Sequence, residues 1–256
     1  MSADFSLAGK RALITGASRG LGFHFAQVLA SAGADVALMA RDRATLEKAA
    51  ATIAKATGRR AIAVAGDVTD AVGVRAAFDR AETTLGPLDI LVNNAGTAVS
   101  KPLLEHDEAD WDRVLDTNLK GAWLMAREFA ARRIADNRGG RIVNLASLLA
   151  FRTARNVPEY AAAKAGLAQL TRVLALELAR HGIGVNALAP GYFETDMNRA
   201  FLHSEAGRAI AARIPLGRTG TAADLDGALL LLVSPAGTYI TGAIIPVDGG
   251  HLVASI

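Results

Sequence analysis

Seven short apolar runs alternate along the 256-residue chain with longer stretches rich in Ala and Leu. The runs are nearly continuous in apolar residues, a pattern that indicates strands covered on both faces of a parallel sheet. Between two of them, Leu167, Leu170, Leu174 and Leu178 recur at the spacing of one helix face. The runs are Arg11–Thr15, Asp35–Ala40, Ala61–Ala65, Ile90–Val92, Arg141–Leu145, Gly184–Leu188 and Ala243–Val247.

This alternation predicts an α/β fold, a single-domain, doubly wound parallel β-sheet of about seven strands, Rossmann-like, with helices on both faces. No linker or repeat divides residues 1–256, so we expect one domain. The segment at about 190–215 breaks the rhythm and is expected to form a pair of short helices that acts as a lid. Helices are expected over Gly22–Ser31, Ala44–Ala56, Val72–Thr84, Trp111–Asn137, Tyr160–His181 and Ala222–Val233.

The composition excludes several functional classes. The chain has no cysteine, so disulfides, thiolate metal sites and cysteine nucleophiles are excluded. The five histidines show no ligand spacing, and we expect no metal. The longest apolar run, Ala228–Val233, is far shorter than the roughly 20 residues of a membrane helix. A net charge of +3 without a basic run argues against nucleic acid, so we expect a cytoplasmic protein with neither membrane nor nucleic-acid partners.

Three glycines stand in the turn between the first expected strand and the first helix. The turn reads Gly16-Ala17-Ser18-Arg19-Gly20-Leu21-Gly22. Glycine lets the backbone pass close to a pyrophosphate, and a helix N-terminus offers free N–H groups to it. A glycine-rich turn without a ligand is the alternative interpretation. The position directly after the first strand favours a nucleotide site.

Several further motifs follow this turn in a specific order and spacing. They are Asp67-Val68, Asn93-Asn94-Ala95-Gly96, Asn118, Ser147, Tyr160-x-x-x-Lys164, Pro190-Gly191 and Asp248-Gly249-Gly250. With the Gly-x-x-x-Gly-x-Gly turn, they make the chain resemble the short-chain dehydrogenase/reductase family from about Gly9 to Gly250. The catalytic positions show no departure from the family pattern.

The resemblance implies four catalytic residues. Tyr160 would be the acid–base, Lys164 would lower its pKa and hold the nicotinamide ribose, Ser147 would polarise the substrate oxygen, and Asn118 would hold a water linked to Lys164. Tyr160 and Lys164 share one helix face because they are four residues apart. An ammonium about 4 Å from a phenolate, at an effective dielectric constant of about 20, is worth about 4 kcal/mol, or up to about 3 pKa units. A cationic oxidised nicotinamide would act in the same direction.

The choice of nucleotide depends on the end of the second strand. The resemblance places Ala40 where an NAD enzyme carries the acid that binds the ribose 2′-OH, and Arg19 and Arg41 could clamp a 2′-phosphate. We therefore expect NADP(H) rather than NAD(H), although a shift of one residue would bring Asp42 to the ribose. The resemblance sets the cofactor against Gly16, Ser18, Arg19, Gly20, Leu21, Arg41, Asp67, Val68, Asn94, Ala95, Gly96, Tyr160, Lys164, Pro190, Gly191, Phe193 and Thr195.

A mostly apolar wall is expected around the substrate, which suits a ketone or secondary alcohol of medium size. Its residues are Ser147, Leu149, Phe151, Arg152, Tyr160, Tyr192 and Met197. The alternatives are an NAD-linked sugar or polyol dehydrogenase of the gluconate type, a 3-oxoacyl-carrier-protein reductase, a lyase or epimerase that uses the same tyrosine, and a non-catalytic nucleotide sensor. The resemblance also implies a homotetramer, with a monomer as the alternative.

Overall fold

All seven strands of the computed structural model, which describes residues 3–194, 202 and 204–254, belong to one parallel sheet. They are β1 (Arg11–Thr15), β2 (Asp35–Ala40), β3 (Ala61–Ala65), β4 (Ile90–Asn93), β5 (Gly140–Leu145), β6 (Ile183–Pro190) and β7 (Ile244–Val247). The strand order is β3-β2-β1-β4-β5-β6-β7, and every neighbouring pair is parallel. The predicted doubly wound, Rossmann-like sheet is confirmed.

Helices fill the connections between the strands. They are α1 (Gly20–Ser31), α2 (Arg43–Thr57), α3 (Ala71–Leu85), α4 (Glu108–Leu115), α5 (Gly121–Ala135), α6 (Pro158–Leu178), α7 (Glu205–Ala211) and α8 (Asp226–Val233). Most expected helices differ by one or two residues at their ends. The helix expected over Ala222–Val233 begins as a short 3₁₀ turn, Ala222–Leu225, before α8.

One expected helix, Trp111–Asn137, is instead two helices joined by a π-helical turn, Asp116–Lys120. Asn118 lies in that turn, and its Nδ2 donates to the carbonyl of Val114 at 2.9 Å and to that of Thr97 at 2.7 Å. The side chain thus takes up the Val114 carbonyl, which a regular helix would bond through the N–H of residue 118, and ties the turn to Thr97 outside the helix. Such single π turns are frequent at functional sites.

The core consists of two apolar layers, one on each face of the sheet. On one face α1, α2 and α8 cover side chains such as Ile14 and Val36, and on the other α3, α5 and α6 cover side chains such as Leu13 and Ile142. Because successive strand residues point to opposite faces, Leu13 and Ile14 enter different layers. Helices therefore cover both faces of the sheet, as the continuous apolar runs predict.

The chain reverses its direction of strand addition between β1 and β4, and the turns after these strands are hydrogen-bonded together. Thr15 Oγ1 accepts from the backbone N–H groups of Asn94 at 3.0 Å and Ala95 at 2.9 Å. The Asn94 amide donates to the Thr15 carbonyl at 2.9 Å and to the Gly16 carbonyl at 3.3 Å. Ligands of open α/β sheets bind at such a switch point, beyond the carboxyl ends of the strands.

The segment expected to be a lid lies partly outside the described residues, which omit 195–201 and 203. Its described part contains α7, whose first turn is capped by Ser204, with Oγ accepting from the Gly207 N–H at 3.2 Å. A covering role for this segment stays a prediction. Within the described ranges, none of the helices has both the length and the apolar character that crossing a membrane requires.

Gly22 in α1 provides a test of how tightly the first turn packs. A Cβ there would lie 2.3 Å from the Gly16 carbonyl oxygen and 2.4 Å from Asn94 Nδ2. We expect Gly22→Ala to lower the free energy of unfolding by about 1–3 kcal/mol, because the turn must shift to admit the methyl group. Urea denaturation measures the change.

Gly227→Ala in α8 is the matched control, since a Cβ there meets no atom within 4 Å. The control should leave the protein more stable by about 0.5–1 kcal/mol, the difference in helix propensity. Equal gains for both variants would contradict the close packing of Gly22.

Candidate active site

Ser147, Tyr160 and Lys164 meet at the carboxyl edge of the sheet. Ser147 comes two residues after β5, and the other two lie one turn apart near the start of α6. The Ser147 side chain hydrogen-bonds the Tyr160 hydroxyl. Lys164 is 3% exposed, and its Nζ donates to the Leu145 carbonyl at 2.7 Å and lies 5.5 Å from the centre of the Tyr160 ring. The structure therefore brings together three of the four residues predicted to be catalytic.

Asn118, the fourth predicted residue, is 1% exposed and lies beside Gly96. A Cβ on Gly96 would lie 2.7 Å from Asn118 Oδ1, so glycine is needed for this approach. Both contacts of Asn118 Nδ2 are with carbonyls, while Oδ1 is buried and accepts no hydrogen bond from the described residues. A water-holding role for Asn118 stays a prediction.

Burial shifts the pKa values of both groups of the Tyr160–Lys164 pair. Removal from water raises the pKa of the Tyr160 hydroxyl above its ordinary value, and the hydrogen bond from Ser147 offsets only part of this rise. Removal from water lowers the pKa of Lys164 to about 8. The expected lowering of the Tyr160 pKa is therefore not seen in the chain by itself. The reason is that burial of the phenol itself is the larger effect on its pKa.

The turn after β1 has the shape that a pyrophosphate needs. Gly16 and Gly20 have φ values of +64° and +58°, in the left-handed region that favours glycine, and a Cβ on Gly20 would meet no atom within 4 Å. Arg19 precedes α1 without a side-chain cap, and the first turn of α1 contains no acidic residue. The first N–H groups of α1 are thus left to an anion, so these residues fit a dinucleotide.

The charged side chains near the end of β2 differ in whether they already have a partner. Asp42 caps α2, because its carboxylate accepts from the Ala44 N–H at 3.0 Å and from the Thr45 hydroxyl at 2.7 Å. The hydrogen bonds from Thr45 lower the pKa of Asp42. Arg19 and Arg41 are exposed, and within the part of the chain that the structure describes neither forms an ion pair. The carboxylate is therefore engaged by the helix, whereas both guanidinium groups remain available.

The remaining predicted cofactor residues lie along the same edge. Asp67 accepts from the Thr69 N–H and hydroxyl, each at 2.9 Å, and Val68 is buried against Gly121. Gly191 follows β6, where a Cβ would lie 2.9 Å from the Cα of Asp248. The residues placed on this edge as predicted are Ser18, Leu21, Asn94, Ala95, Gly96 and Pro190.

The structure places the Phe193 ring differently from the prediction, and it does not describe two other predicted residues. The Phe193 ring is buried in the core against Gly220, where a Cβ would lie 2.6 Å from the ring, so the ring is part of the packing. A cofactor contact of this residue would have to come through its backbone. Thr195 and Met197 lie outside the described residues. Phe151 is exposed and Leu149 is half-buried, with its N–H donating to Ser147 Oγ at 3.1 Å.

Two residues expected to contact the substrate, Arg152 and Tyr192, form a cluster with His251, which was not predicted from the sequence. Arg152 Nη1 donates to the backbone carbonyl of His251, and the rings of Tyr192 and His251 have centroids 5.6 Å apart. Burial raises the pKa of the Tyr192 hydroxyl, and burial together with the Arg152 charge lowers the pKa of His251. The sequence signal for His251 is only its position after Asp248-Gly249-Gly250, which resembles a family motif but says nothing of the following side chain.

A second unpredicted contact lies beside Tyr160. Glu159 is 1% exposed, and its Oε1 lies 3.3 Å from His106 Nδ1, while His106 Nε2 lies 2.8 Å from the Lys101 carbonyl. Lys101 also pairs with Asp110 at the start of α4. These contacts attach the start of α6 to the connection between β4 and α4, and so support the position of the tyrosine. Among the described residues, no group of His, Asp and Glu side chains could hold a metal ion.

Comparisons with known proteins agree with this geometry. Residues 16–251 match the enoyl-(acyl carrier protein) reductase family model. The chain is 41% identical over 251 residues to 2-dehydro-3-deoxy-D-gluconate 5-dehydrogenase of Escherichia coli K12, with 97% of each chain covered. It is 37% identical over 253 residues to 5-keto-D-gluconate 5-reductase of the same strain, with 98% of each covered.

A solved structure extends the likeness to the fold. The gluconate 5-dehydrogenase of Burkholderia cenocepacia J2315, crystallised in complex with NADP and tartrate, has a TM-score of 0.94 and is 37% identical, with 99% of both chains covered. Within the matched residues this chain has the sheet order, the glycine turn and the Ser147–Tyr160–Lys164 arrangement described above. The chain therefore belongs to the short-chain dehydrogenase/reductase family and is an NAD(P)-dependent oxidoreductase that acts on CH–OH groups.

Proposed function

We propose that the protein is an NADP(H)-linked oxidoreductase that interconverts a secondary alcohol and a ketone on a sugar acid. The observation that carries this proposal is the Ser147–Tyr160–Lys164 arrangement beside the glycine turn. Arg19 in that turn and Arg41 after β2 form no ion pair among the described residues. The relatives named 2-dehydro-3-deoxy-D-gluconate 5-dehydrogenase and 5-keto-D-gluconate 5-reductase support a sugar acid as the substrate class.

The chain's own residues would manage the proton of this reaction. When bound, the nicotinamide supplies or accepts the hydride. In the reductive direction Tyr160 would give its hydroxyl proton to the substrate oxygen, and in the oxidative direction it would take that proton. Ser147, already bonded to the Tyr160 hydroxyl, would donate to the same oxygen. Lys164, whose pKa is about 8, would carry positive charge near the phenol at neutral pH and stabilise the phenolate.

The end of β2 supports the proposed preference for NADP(H). Ala40 offers no carboxylate to a ribose 2′-OH, and Asp42 is engaged as the cap of α2. Arg19 and Arg41 would hold a 2′-phosphate by charge-assisted hydrogen bonds. The gluconate 5-dehydrogenase structure from Burkholderia cenocepacia, which contains NADP, supports this preference.

The nucleotide preference is tested by replacing these arginines. Arg19→Ala and Arg41→Ala should each raise the KM for NADPH by about 10- to 100-fold, because each removes charge-assisted hydrogen bonds worth about 1.5–3 kcal/mol. The KM for NADH should stay within about 2-fold, since NADH has no 2′-phosphate. Initial rates at 340 nm with 5-keto-D-gluconate as substrate provide the measurement.

Arg43→Ala is the control, because Arg43 is exposed on α2 and pairs with Glu47 at 2.7 Å. It should leave both constants unchanged. A wild-type enzyme that prefers NADH, or arginine variants that affect both nucleotides equally, would refute the NADP(H) assignment. In the same assay Tyr160→Phe should lose activity while still binding nucleotide; a nucleotide-binding protein without turnover on any ketone would instead be a sensor.

Lys164→Met tests the desolvation of the lysine through stability. The pKa of Lys164 is 10.5 in a model peptide and about 8 in the folded chain. Below pH 8 both states hold the proton and the folded state bears the full cost of burying the charge. Between about pH 8 and pH 10.5 the unfolded state binds more protons, so wild-type stability rises relative to the variant. We expect the variant to be inactive yet more stable at pH 7 by on the order of 1–3 kcal/mol, after loss of the Leu145 hydrogen bond.

The measurement is urea denaturation of wild type and variant at pH 7 and near pH 10. The stability difference should shrink at the higher pH. Lys48→Met, which changes an exposed lysine of α2, is the control and should show no pH-dependent difference. A Lys164→Met variant that is less stable than wild type, by the same amount at pH 7 and near pH 10, would contradict burial of a desolvated charge.

We also propose that the protein assembles as a homotetramer through the outer faces of its central helices. A groove of about 410 Å³ lies there, and Trp123 beside it is 41% exposed. The groove is lined by Leu115, Asp116, Leu119, Lys120, Trp123, Gly166 and Leu170. Burial of this apolar surface would favour association of helices from two chains.

Light scattering tests this assembly. Wild type should have four times the 26.6 kDa mass of the chain, and Trp123→Glu should reduce that mass by placing a charge in the contact. Val72→Glu, at a residue of α3 that is 65% exposed, is the control and should leave the mass unchanged. A monomeric wild type, or identical masses for both variants, would refute the proposed contact.

A further inference from the structure

Arg152 is held at the mouth of the site by two backbone contacts. Its N–H donates to the Leu148 carbonyl at 3.0 Å, directly after a short 3₁₀ turn that begins at the residue following Ser147. Its Nη1 donates to the backbone carbonyl of His251, which belongs to the turn after β7. The guanidinium is thus positioned between the turn that follows β5 and the turn that follows β7.

Most of the hydrogen-bonding capacity of this cluster is unused. A guanidinium has five N–H donors. Among the described residues the Arg152 guanidinium donates only from Nη1, and it forms no ion pair with a carboxylate. His251 Nδ1 is buried without a hydrogen-bond partner. The Tyr192 hydroxyl likewise has no partner within the described ranges, and its ring lies against that of His251. Donors left without partners at a cleft are suited to an acceptor-rich ligand.

The charges around the cluster are mainly positive. Arg152 and Arg213 both act on His251 as positive charges, and Asp248 is the opposing negative charge. The Asp248 carboxylate is engaged by its own turn, where it accepts from the Gly250 N–H at 2.9 Å and from the Leu252 N–H at 2.6 Å. It is therefore not directed at Arg152 as an ion-pair partner. A ligand group that completes the cluster should carry negative charge.

The cluster lies next to the reacting groups. Ser147 and Arg152 are joined by one short turn, and Tyr192 follows β6, the strand beside β5. For a substrate whose carbonyl oxygen meets Ser147 and Tyr160, Arg152 is therefore a cationic side chain only one short turn away. Arg152 and Tyr192 were expected in a mostly apolar wall with one or two charges, and the structure joins both of them to His251.

We propose that Arg152, His251 and Tyr192 form a subsite that binds the carboxylate of the substrate and so fixes which carbon is presented to Tyr160. This inference rests on the proposed sugar-acid function and adds to it the residues that recognise the acid group. Arg152 supplies the charge and paired N–H donors, and the other two residues supply one donor each. The subsite selects against neutral polyols and sugars, which would leave the guanidinium without a charged partner.

The test compares a charged ketone with a neutral one of the same chain length. The substrates are 5-keto-D-gluconate and 5-keto-D-fructose, with NADPH, and the variants are Arg152→Gln and His251→Leu. For the charged ketone we expect the KM to rise about 100-fold in Arg152→Gln and about 10-fold in His251→Leu, with kcat within about 3-fold of wild type. The KM for the neutral ketone should not rise in either variant.

Two further variants separate recognition from packing. Arg155→Gln removes an exposed arginine three residues away and should leave both KM values unchanged. Arg152→Lys keeps the charge but not the planar fork and should recover part of the affinity for the charged ketone. In a Tyr160→Phe background with NADP⁺, calorimetry of D-gluconate binding should show the same order of affinities without turnover.

The outcomes distinguish this subsite from the proposed function. Wild-type turnover of 5-keto-D-gluconate with no change in Arg152→Gln would overturn the subsite alone. Equal KM increases for the charged and neutral ketones would also overturn it, because they would indicate a purely structural arginine. A wild type that reduces the neutral ketone but no sugar acid would overturn the proposed substrate class, and the subsite with it.

Discussion

The hydrogen bond from the Lys164 ammonium to the Leu145 carbonyl holds α6 against the carboxyl end of β5. From that contact the rest of the active site follows. Tyr160 lies one helical turn before Lys164 and reaches the side chain of Ser147, which stands two residues beyond the same strand. Strand, turn and helix therefore converge on one hydroxyl group, which is the place where a proton must be delivered. Glu159 and His106 support the same helix start from its other side.

Burial shifts the pKa values of both Lys164 and Tyr160. The folded chain lowers the pKa of Lys164 to about 8 and raises the pKa of Tyr160, so both groups prefer their neutral forms more than they do in water. Such strained ionisation equilibria are typical of catalytic groups. The chain by itself keeps Tyr160 protonated, as a proton donor should be. The same low polarity would make any added positive charge act strongly on the phenol.

The sheet could be predicted closely from the sequence, because strands buried on both faces leave nearly continuous apolar runs such as Asp35–Ala40. The glycine turn and the spacing of Tyr160 and Lys164 could also be predicted, since each depends on residues close together in the chain. The π turn at Asn118 was not predicted, because side-chain bonds to Val114 and Thr97 compete with the regular helix. The contact of His251 with Arg152 depends on the C-terminal turn folding back, which no local pattern in the sequence indicates.

The protonation of Tyr160 tests the proposed proton transfer most directly. The chain has three tyrosines, so NMR of protein labelled with carbon-13 at tyrosine Cζ gives three signals, and Tyr160→Phe assigns one of them. We expect the pKa of Tyr160 to lie above its ordinary value of 10.0 in the free protein and to fall by more than about one unit on addition of NADP⁺, because the oxidised nicotinamide adds a positive charge. A Tyr160 pKa already near neutral without nucleotide, or one that NADP⁺ leaves unchanged, would contradict this expectation.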